Sequence, residues 1–576
     1  MIKKLLPYAK KYKIYALLCP IAIIFEVAIE VRIPFLMAVI VDEGIANMSI
    51  ETVVQTGIKM ILMALLSLFC GAIAARLAAV AGLGFGCEIR QAMFGKIQDF
   101  SFANTDKFST ASLVTRLTTD TNMVQMAFTQ AVRICVRAPF MLVMAIFYAI
   151  RINLKLSLVF LTVTPILGVM LFTIGYMAHP RFRRLFEKYD RFNASIQENL
   201  IGIRVVKAFV RAKHEKEKFR ISNDELRDAS VYAEKLVIVN GPLMSVAVYA
   251  CIICILWFGG NLVTAGAMQT GELISFISYV NQILMSLMMV SMIFVMTVMV
   301  KASASRIIEV LDEEPDISDA NADESLTVSD GSIEYKDVCF KYNKSAEKNV
   351  LEKINLSIRS GETIGVIGGT GSAKTTLVQL IPRLYDVTEG EVTVGGADVR
   401  SYTLKTLRDS VSMVLQNNVL FSGTIEENLR WGNENATDEQ LVQACKIAQA
   451  DGFIRSFPDG YKTELGQGGV NVSGGQKQRL CIARAIIKAP KILILDDSTS
   501  AVDTATDAKI REGFAGLLPD TTKIIIAQRI SSVEHADRII VLDDGRINAI
   551  GTHEQLLETN EIYKEVYNSQ LEGSVA

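Results

Sequence analysis

Six long apolar stretches constrain this 576-residue chain more than any other feature. A helix needs about 20 consecutive, mostly apolar residues to cross the hydrocarbon core of a bilayer. Six stretches reach that length, and they lie at about Ile14–Val41, Gly57–Gly86, Ala131–Ile152, Leu156–Ala178, Val237–Gly260 and Leu273–Val300. The sequence therefore predicts an all-α membrane domain with six spanning helices that contact the lipid bilayer.

The bulk composition agrees with a membrane protein and argues against other classes. Hydrophobic residues make up 50% of the chain, and the mean hydropathy is +0.32. The formal net charge is −2, so no strongly basic face for a nucleic-acid partner is expected. The nine cysteines show no zinc-site spacing and no disulfide framework. Cys251 and Cys254 form a CxxC inside an apolar stretch, and we interpret them as packing residues.

The basic residues between the apolar stretches predict how the chain crosses the membrane. The connections after the second and fourth stretches are long and basic, whereas the loops 42–52 and 261–272 contain no Lys or Arg. Because Lys and Arg mark cytoplasmic loops, both chain ends are expected in the cytoplasm of a cell, most simply at a bacterial inner membrane. The basic start, 1–13, is interpreted as an interfacial helix and not as a signal peptide, because no cleavage site follows it.

An acidic segment divides the chain into two predicted domains. Residues 313–330 contain few large apolar side chains and read as a linker. The expected boundaries are therefore a membrane domain at 1–312 and a soluble domain at 331–576. The soluble part alternates polar and apolar residues as an α/β domain does.

A glycine-rich segment between a predicted strand and a predicted helix has the pattern that binds nucleotide phosphates. Backbone N–H groups at such a helix start cradle phosphate, while a lysine supplies a cation and a hydroxyl faces Mg²⁺. The second glycine of the pattern is replaced by Ala373, which is expected to weaken the phosphate grip. The candidate nucleotide-binding residues are Gly368, Gly369, Thr370, Gly371, Ser372, Ala373, Lys374, Thr375 and Thr376.

This glycine-rich segment has the pattern of a P-loop, and two more motifs accompany it. The run KILILDD is an apolar strand that ends in Asp496, a candidate Mg²⁺ ligand beside Thr375, and VSGGQ stands upstream at Val472–Gln476. With these motifs the chain resembles the ABC transporter family, and its membrane half is similar to exporter membrane domains. The resemblance implies a multidomain fold, a six-helix membrane domain followed by an α/β P-loop ATPase domain, with ATP and Mg²⁺ as cofactors.

The resemblance also implies roles for residues outside the P-loop. Tyr342 is similar to the aromatic residue that stacks on adenine, and Gln416 to the glutamine that contacts Mg²⁺ and faces the membrane domain. Ser500–Asp503 resembles the D-loop. In this family the signature acts on ATP held by the P-loop of a second chain, through residues that here are Ser473, Gly474, Gly475 and Gln476. Short coupling helices are expected around Lys107–Asp120 and Ala208–Phe219.

Two catalytic positions depart from the family pattern. Asp497 stands where hydrolysing members have a glutamate that polarises water, and Gln528 stands at the switch histidine. Aspartate is one methylene shorter, about 1.5 Å, so it should act more slowly as a base. Gln467 also replaces the usual acid before the signature. These departures favour a heterodimer with a second, competent half-transporter, in which this chain's P-loop forms a degenerate site; the alternative is a slow homodimer.

Two groups of membrane residues are candidates for a substrate cavity. Glu26 and Glu30 share one face of the first span, where they could attract cationic substrates or instead form an internal salt bridge or lie near the outer interface. Methionines line the sixth span at helical spacing, and flexible methionines suit either a promiscuous cavity wall or plain helix packing. The tentative cavity residues are Glu26, Glu30, Met289, Met292 and Met296.

The sequence thus predicts an ATP hydrolase coupled to transport, which moves small, amphipathic, drug-like molecules outward by alternating access. Two other functions remain open. The first is a flippase for lipids or lipid precursors, and the second is a nucleotide-gated channel or sensor.

Overall fold

The computed structural model describes residues 2–320, 322–343, 346–498 and 502–575, which form two compact units. The first unit comprises Met1–Asp99 and Phe108–Glu313, and the second comprises Phe100–Lys107 and Glu314–Ala576. The segment expected to be an acidic linker lies in the second unit from Glu314 onward, and its Ile317 and Val328 are buried.

The first unit is helical throughout its described residues. A seven-residue 3₁₀ helix occupies Leu6–Tyr12, and short π-helical segments occupy Ile40–Ile45 and Arg116–Asp120. Its α-helices, with one short helix of the second unit (α5) between them, are α1 Ile2–Leu5, α2 Lys13–Glu30, α3 Ile33–Val39, α4 Ile50–Gln98, α5 Phe102–Lys107, α6 Thr110–Thr115, α7 Thr121–Ile152, α8 Leu154–Ile201, α9 Ile203–Ala208, α10 Ala212–Ile238, α11 Asn240–Thr264 and α12 Thr270–Asp312.

The six predicted spans are confirmed. Among the described residues, six helical segments are long and apolar enough to cross a membrane: Leu6–Ile45, Ile50–Gln98, Thr110–Ile152, Leu154–Ile201, Ala212–Thr264 and Thr270–Val290. Helices α4 and α8 contain 49 and 48 residues. At 1.5 Å per residue each is about 70 Å long, more than twice a bilayer core of roughly 30 Å, so each extends well beyond the lipid.

Short polar residues fix where the long helices begin. Asn153 alone separates α7 from α8, and its side-chain oxygen accepts a hydrogen bond from the Leu156 N–H at 3.1 Å. Ser49 caps α4 in the same way, since its hydroxyl accepts from the Thr52 N–H. Such caps satisfy N–H groups that lack a partner in the first helical turn. Only Asn153 connects the two long helices α7 and α8.

The first coupling segment lies elsewhere than predicted. Of Lys107–Asp120, only Lys107 belongs to the second unit. The remainder stays in the first unit because it is tied to α12: Arg116 lies 2.9 Å from Glu309, and Arg306 donates to both oxygens of the buried Asp120, at 2.7 and 2.5 Å. The segment that packs with the second unit is the preceding Phe100–Lys107, so that prediction was wrong by about two helical turns.

The second unit is a mixed α/β domain. Its strands are β1 Ile333–Phe340, β2 Leu351–Ile358, β3 Thr363–Gly368, β4 Glu389–Val394, β5 Ala397–Asp398, β6 Val411–Val414, β7 Gly423–Thr424, β8 Glu464–Leu465, β9 Ile492–Asp496, β10 Thr522–Ile526, β11 Arg538–Asp543 and β12 Arg546–Gly551. Its remaining helices are α13 Lys374–Gln379, α14 Leu404–Ser410, α15 Ile425–Arg430, α16 Asp438–Ile447, α17 Asp451–Ser456, α18 Gly474–Ile487, α19 Thr504–Leu517, α20 His553–Thr559 and α21 Glu561–Val575.

The sheet order brings the predicted motifs together. The main sheet has the order β12-β11-β3-β10-β9-β6, and β11, β3, β10, β9 and β6 run parallel. Strands β9 and β10 are buried along their whole length, which agrees with the run of Ile and Leu in β9 and the three Ile residues that end β10. Because parallel strands end at one edge, Gly368, Asp496 and Ile526 finish side by side. The predicted fold class, a helical membrane domain followed by an α/β P-loop domain, is confirmed.

Candidate nucleotide site and membrane ion pairs

The P-loop folds around its own lysine. Lys374 Nζ donates hydrogen bonds to the carbonyl oxygens of Gly368 and Gly369, both at 2.8 Å. A side chain at Gly368 would lie 2.2 Å from the Leu542 carbonyl oxygen, so only glycine fits at the end of β3. Burial lowers the pKa of Lys374, against the attraction of two nearby carboxylates, Asp497 and Asp496. The ammonium is therefore held where a phosphate anion would stabilise its charged form.

Ala373 adopts a backbone conformation that favours glycine. Its φ is +70° and its ψ is +25°, in the left-handed region, immediately before α13. A residue with a Cβ pays about 1 kcal/mol there, because the Cβ approaches the carbonyl oxygen that follows. The sequence indicated a weakened phosphate grip through an added methyl. The structure shows a second cost at the same residue, which is backbone strain in the loop itself.

Replacing Ala373 with glycine is expected to tighten ATP binding by about fivefold. Relief of about 1 kcal/mol of strain favours the loop conformation that binds phosphate, and 1.4 kcal/mol corresponds to a factor of ten. Titration of the purified chain with a fluorescent ATP analogue measures the change. The exposed Ala489, with φ +50°, supplies the matched control, since Ala489→Gly relieves similar strain away from the site. Equal affinities for the Ala373→Gly variant and the unchanged chain would exclude a cost from strain.

The Mg²⁺ side of the site contains one unsatisfied buried oxygen. Thr375 Oγ1 donates to Asp496 Oδ1 at 3.0 Å, while Asp496 Oδ2 is buried without a partner among the described residues. Asp496 is only 2% exposed, and burial raises its pKa. A divalent cation with hard oxygen ligands would compensate such a carboxylate. The Thr375 hydroxyl and the Asp496 carboxylate thus fit Mg²⁺, whose charge would neutralise phosphate oxygens in the site.

The two predicted catalytic residues contact each other. Gln528 Nε2 donates to Asp497 Oδ2 at 2.8 Å, and the Asp497 N–H donates to the Ile526 carbonyl at 3.0 Å. Burial raises the pKa of Asp497, whereas hydrogen bonds from Gln528 and Gln416 oppose that rise. The structure therefore brings Gln416, Asp497 and Gln528 into one polar cluster. The neutral amide of Gln528 thus binds the carboxylate of Asp497, the residue predicted to act as the base.

The C-terminal helix holds the switch segment, a contact that sequence reasoning missed. Gln570 of α21 donates to the Gln528 carbonyl oxygen at 2.8 Å and accepts from the Ile530 N–H at 2.9 Å. These two bonds fix the backbone on both sides of Arg529. No local pattern marks Gln570, because its partners lie some 40 residues earlier in the chain.

Tyr342 follows β1 at the edge of the P-loop and is 48% exposed. Its hydroxyl lies 2.9 Å from the Thr376 hydroxyl, and its ring meets the Tyr385 ring edge-on at 5.1 Å. The ring is thus fixed at one edge and accessible to a flat ligand. Tyr385 in turn donates to Asp106 of α5 at 2.8 Å and packs against Phe102.

The signature begins α18 as an exposed helix start. The Ser473 hydroxyl accepts from the Gln476 N–H at 3.3 Å, and the Gln476 side chain accepts from the Ser473 N–H at 2.9 Å. This reciprocal capping box orders the turn that contains Gly474 and Gly475. Within the described ranges, no hydrogen bond or ion pair joins these residues to the P-loop. Ser500 and Ala501 of the expected D-loop lie outside the described residues.

The glutamates of the first span form an internal ion pair, one of the alternatives left open by the sequence. Arg137 of α7 contacts both of them: it donates to Glu26 and, at 2.7 Å, to Glu30. Glu26 is 15% exposed and Glu30 is 33% exposed as side chains. The nearby Arg32 bonds the Tyr148 hydroxyl instead, at 2.9 Å. One guanidinium thus pairs with both carboxylates, and the three groups together keep a formal charge of −1 within the unit.

The predicted methionine residues differ in exposure. Met289 and Met296 are half-buried, whereas Met292 is 68% exposed. Met285 and Met288 are also exposed and share the face of Met292. One face of α12 thus packs within the unit while the methionine face remains uncovered.

Removing the charge of Arg137 is expected to destabilise the membrane unit strongly. Arg137→Leu leaves two partly buried carboxylates unpaired, which costs about 3 kcal/mol in comparable ion pairs. The midpoint of heat-induced aggregation in detergent should fall by several degrees. The triple variant Glu26→Gln, Glu30→Gln, Arg137→Leu removes all three charges and should recover most of the loss. An Arg137→Leu midpoint equal to that of the unchanged chain would mean that the pair contributes nothing to stability.

Comparisons with known proteins agree with this geometry. The transmembrane region of ABC transporters matches residues 16–287, and the ABC transporter ATPase region matches residues 351–500. An uncharacterized ABC transporter ATP-binding protein of Bacillus subtilis, YfiB, is 38% identical over an aligned length of 578 residues, which covers 100% of each chain. The ATP-dependent lipid A-core flippase of Desulfotalea psychrophila is 32% identical over 487 residues, 84% of each chain.

A solved structure supports the fold of the whole chain. A bacterial Atm1-family ABC exporter with ATP bound superposes with a TM-score of 0.84 and 22% identity, over 97% of this chain and 99% of that one. The family is thus shown by sequence along the whole length, and the exporter fold by structure. The chain belongs to the ABC transporter family: it carries on one polypeptide the transmembrane region and the ATPase region of that family, in the fold of an exporter.

Proposed function

We propose that this chain is one subunit of a heterodimeric exporter and that its own P-loop forms a degenerate ATP site. The single observation that carries the proposal is the bond between Gln528 and Asp497 in a chain whose signature is complete. Asp497 and Gln528 both depart from the family pattern. The Ser473–Gln476 segment of this chain keeps that pattern and would complete the competent site of a partner.

The geometry supports slow hydrolysis at this chain's own P-loop. A general base must come within hydrogen-bond reach of the attacking water, and Asp497 is about 1.5 Å shorter than glutamate. Gln528 donates to that carboxylate, which stabilises its charged form but occupies one oxygen. An amide also carries no charge to offset a developing negative γ-phosphate. ATP would bind here through Lys374 and the P-loop and persist.

Uncovered apolar surfaces on both units support assembly with a second chain. Between α9 and α10, Phe209 and Val210 are 74% and 85% exposed. On the ATPase unit, Phe421 and Trp431 stack 4.2 Å apart, and Trp431 is 64% exposed. Neighbouring exposed apolar side chains of this kind are candidate contacts for a second chain. A half-transporter partner with a glutamate base and a switch histidine would cover them.

The contacts of α5 suggest how nucleotide binding reaches the membrane helices. Tyr385 touches Tyr342 on one side and Asp106 and Phe102 of α5 on the other. Residue 107 leads directly into the first unit. ATP stacked on Tyr342 would therefore bias the position of α5, and closure around two nucleotides would shift the helices between inward and outward states. Both termini would then lie in the cytoplasm, with the six spans in a bacterial inner membrane.

The proposed cargo is a small amphipathic molecule moved outward. The exposed face of Met285, Met288 and Met292 supports this, because flexible, polarizable side chains adapt to varied apolar ligands. Lipid flipping is the second candidate, favoured by 32% identity to a lipid A-core flippase. In the reconstituted pair, stimulation of ATPase by amphipathic drugs supports the first, and stimulation by lipid precursors alone supports the second.

The purified chain is expected to bind ATP–Mg²⁺ yet to hydrolyse it at least about 100-fold more slowly than the pair with its partner. Loss of a positioned base lowers rates by about 100-fold or more. Phosphate release in detergent or nanodiscs, measured at saturating ATP, gives both rates. Lys374→Ala in the isolated chain controls for contaminating ATPases. Turnover by the isolated chain as fast as by the pair would overturn the degenerate site.

A further inference from the structure

A basic pocket lies between α8 and α10 in the first unit, away from the nucleotide site. It encloses about 360 Å³. Four cations, one carboxylate and one aromatic ring line it: Arg181, Arg184, Lys188, Arg191, Glu187 and Tyr232. Nothing in the proposed transport cycle uses these residues, so the pocket needs its own explanation.

The helix pattern of α8 concentrates these cations on one face. Arg181, Arg184, Lys188 and Arg191 follow each other at intervals of three or four residues, which places them along one side of a helix. On the opposite wall, Ala229 leaves room because it has only a methyl group. The walls of the pocket are thus two packed helices, not mobile loops.

Arg181 is held in place by α10. Its guanidinium lies 4.3 Å from the ring centre of Tyr232 and donates to the Tyr232 carbonyl oxygen at 3.1 Å. Stacking on an aromatic ring orders a guanidinium while leaving its other N–H groups free to bind an anion. Arg181 therefore forms a fixed edge of the pocket.

The charges within the pocket do not cancel. Lys188 forms an ion pair with Glu225 of α10, and Arg183, which lies outside the pocket, attracts Glu187 at 3.5 Å. In the part of the chain that the structure describes, Arg184 has no ion pair or hydrogen bond, while Arg191 is exposed and shares the attraction of Glu225 with Lys188. The pocket therefore keeps excess positive charge that water and salt neutralise in the isolated chain.

The position of the pocket along α8 selects the kind of anion. The apolar stretch of this helix ends at Ala178, so Arg181 and Arg184 lie about 5 and 9 Å further along the axis. The headgroup layer on each side of a bilayer is about 5–8 Å thick. Helical side chains lean toward the helix N-terminus, here toward the bilayer, so the guanidinium groups of Arg181 and Arg184 reach the headgroup layer. Arg191, about 20 Å along the axis, lies beyond it.

We propose that this pocket binds the phosphate group of an anionic phospholipid in the cytoplasmic leaflet. Arginine forms paired hydrogen bonds to phosphate, and the cytoplasmic leaflet carries the negative surface potential that recruits such groups. The bound lipid bridges α8 and α10 and holds these two helices together. This site rests on the proposed orientation but not on ATP hydrolysis or on the identity of the cargo.

The test is a lipid titration of the purified full-length chain in detergent, followed by native mass spectrometry. Phosphatidylglycerol should give at least one bound lipid more than phosphatidylcholine. In the Arg181→Gln, Arg184→Gln variant the apparent affinity for that lipid should fall at least about tenfold, since each arginine near the surface contributes to anion binding. Arg204→Gln on α9, an exposed arginine outside the pocket, is the matched control and should bind as the unchanged chain does.

Three outcomes would overturn the proposal. Undiminished binding of phosphatidylglycerol by the double variant would place the lipid elsewhere. Equal binding of phosphatidylcholine would show that charge is not recognised. Protection of the chain from heat by inorganic phosphate alone, lost in the double variant, would assign the pocket to a soluble anion. None of these readouts involves turnover, so active ATP hydrolysis by a homodimer would remove the proposed function and leave the lipid site standing.

Discussion

Replacing Asp497 and Gln528 with the glutamate and histidine of the family pattern should raise the ATPase rate of the purified chain by about 100-fold. Asp497→Glu extends the carboxylate by about 1.5 Å, and Gln528→His replaces the amide that now donates to it with a group able to carry positive charge. The intact signature then serves both sites of a homodimer. Phosphate release at saturating ATP measures the rate of the double variant against the unchanged chain.

The control for this experiment is Asp497→Asn with Gln528→His. It keeps the histidine and the size of the side chain but cannot accept a proton, so it should stay slow. Nucleotide affinity should change little in either variant, because Lys374 and the P-loop are untouched. If the unchanged chain hydrolyses ATP as fast as the glutamate–histidine variant, Asp497 is a competent base and the degenerate site does not exist.

The parts that sequence predicted correctly depend on local information. Six spans follow from length and apolarity alone, since no soluble helix needs about 20 consecutive apolar residues. The meeting of Gly368 and Asp496 follows from strand-ending motifs in a parallel sheet, whose strands end at one edge. The contact between Asp497 and Gln528 was not predicted, although the same rule explains it, because β9 and β10 are neighbours.

The parts that sequence did not reveal depend on contacts between distant segments. Arg137 lies 111 and 107 positions from Glu26 and Glu30, so Arg32 looked the nearer partner in the sequence. Gln570 binds the switch segment from the last helix, and no pattern marks it. The motif indicated only that a glycine is missing at Ala373; it did not indicate that this residue adopts the left-handed conformation. In each case tertiary packing selects the partner.

A substitution in the signature of this chain should impair the pair far more than one in its P-loop. Ser473→Ala is expected to lower ATPase of the heterodimer by about 100-fold, the usual cost of losing one hydrogen-bond donor that stabilises transition-state charge. Lys374→Ala in the same chain should lower it by less than about fivefold, because the site that it serves turns over little. The opposite pattern is expected for the same changes in the partner chain.

Ser473 also caps α18, so the loss must be separated from simple destabilisation. Thr437→Ala supplies that separation, because Thr437 and Gln440 form the same kind of capping box at α16, away from the signature. Each cap contributes about 1 kcal/mol, and the two variants should lose similar thermal stability. Only Ser473→Ala should lose ATPase if its hydroxyl acts on the nucleotide of the partner. Equal losses from Lys374→Ala and Ser473→Ala would instead describe two equivalent sites, each hydrolysing in turn, and the asymmetric assignment of Asp497 and Gln528 would have to be abandoned.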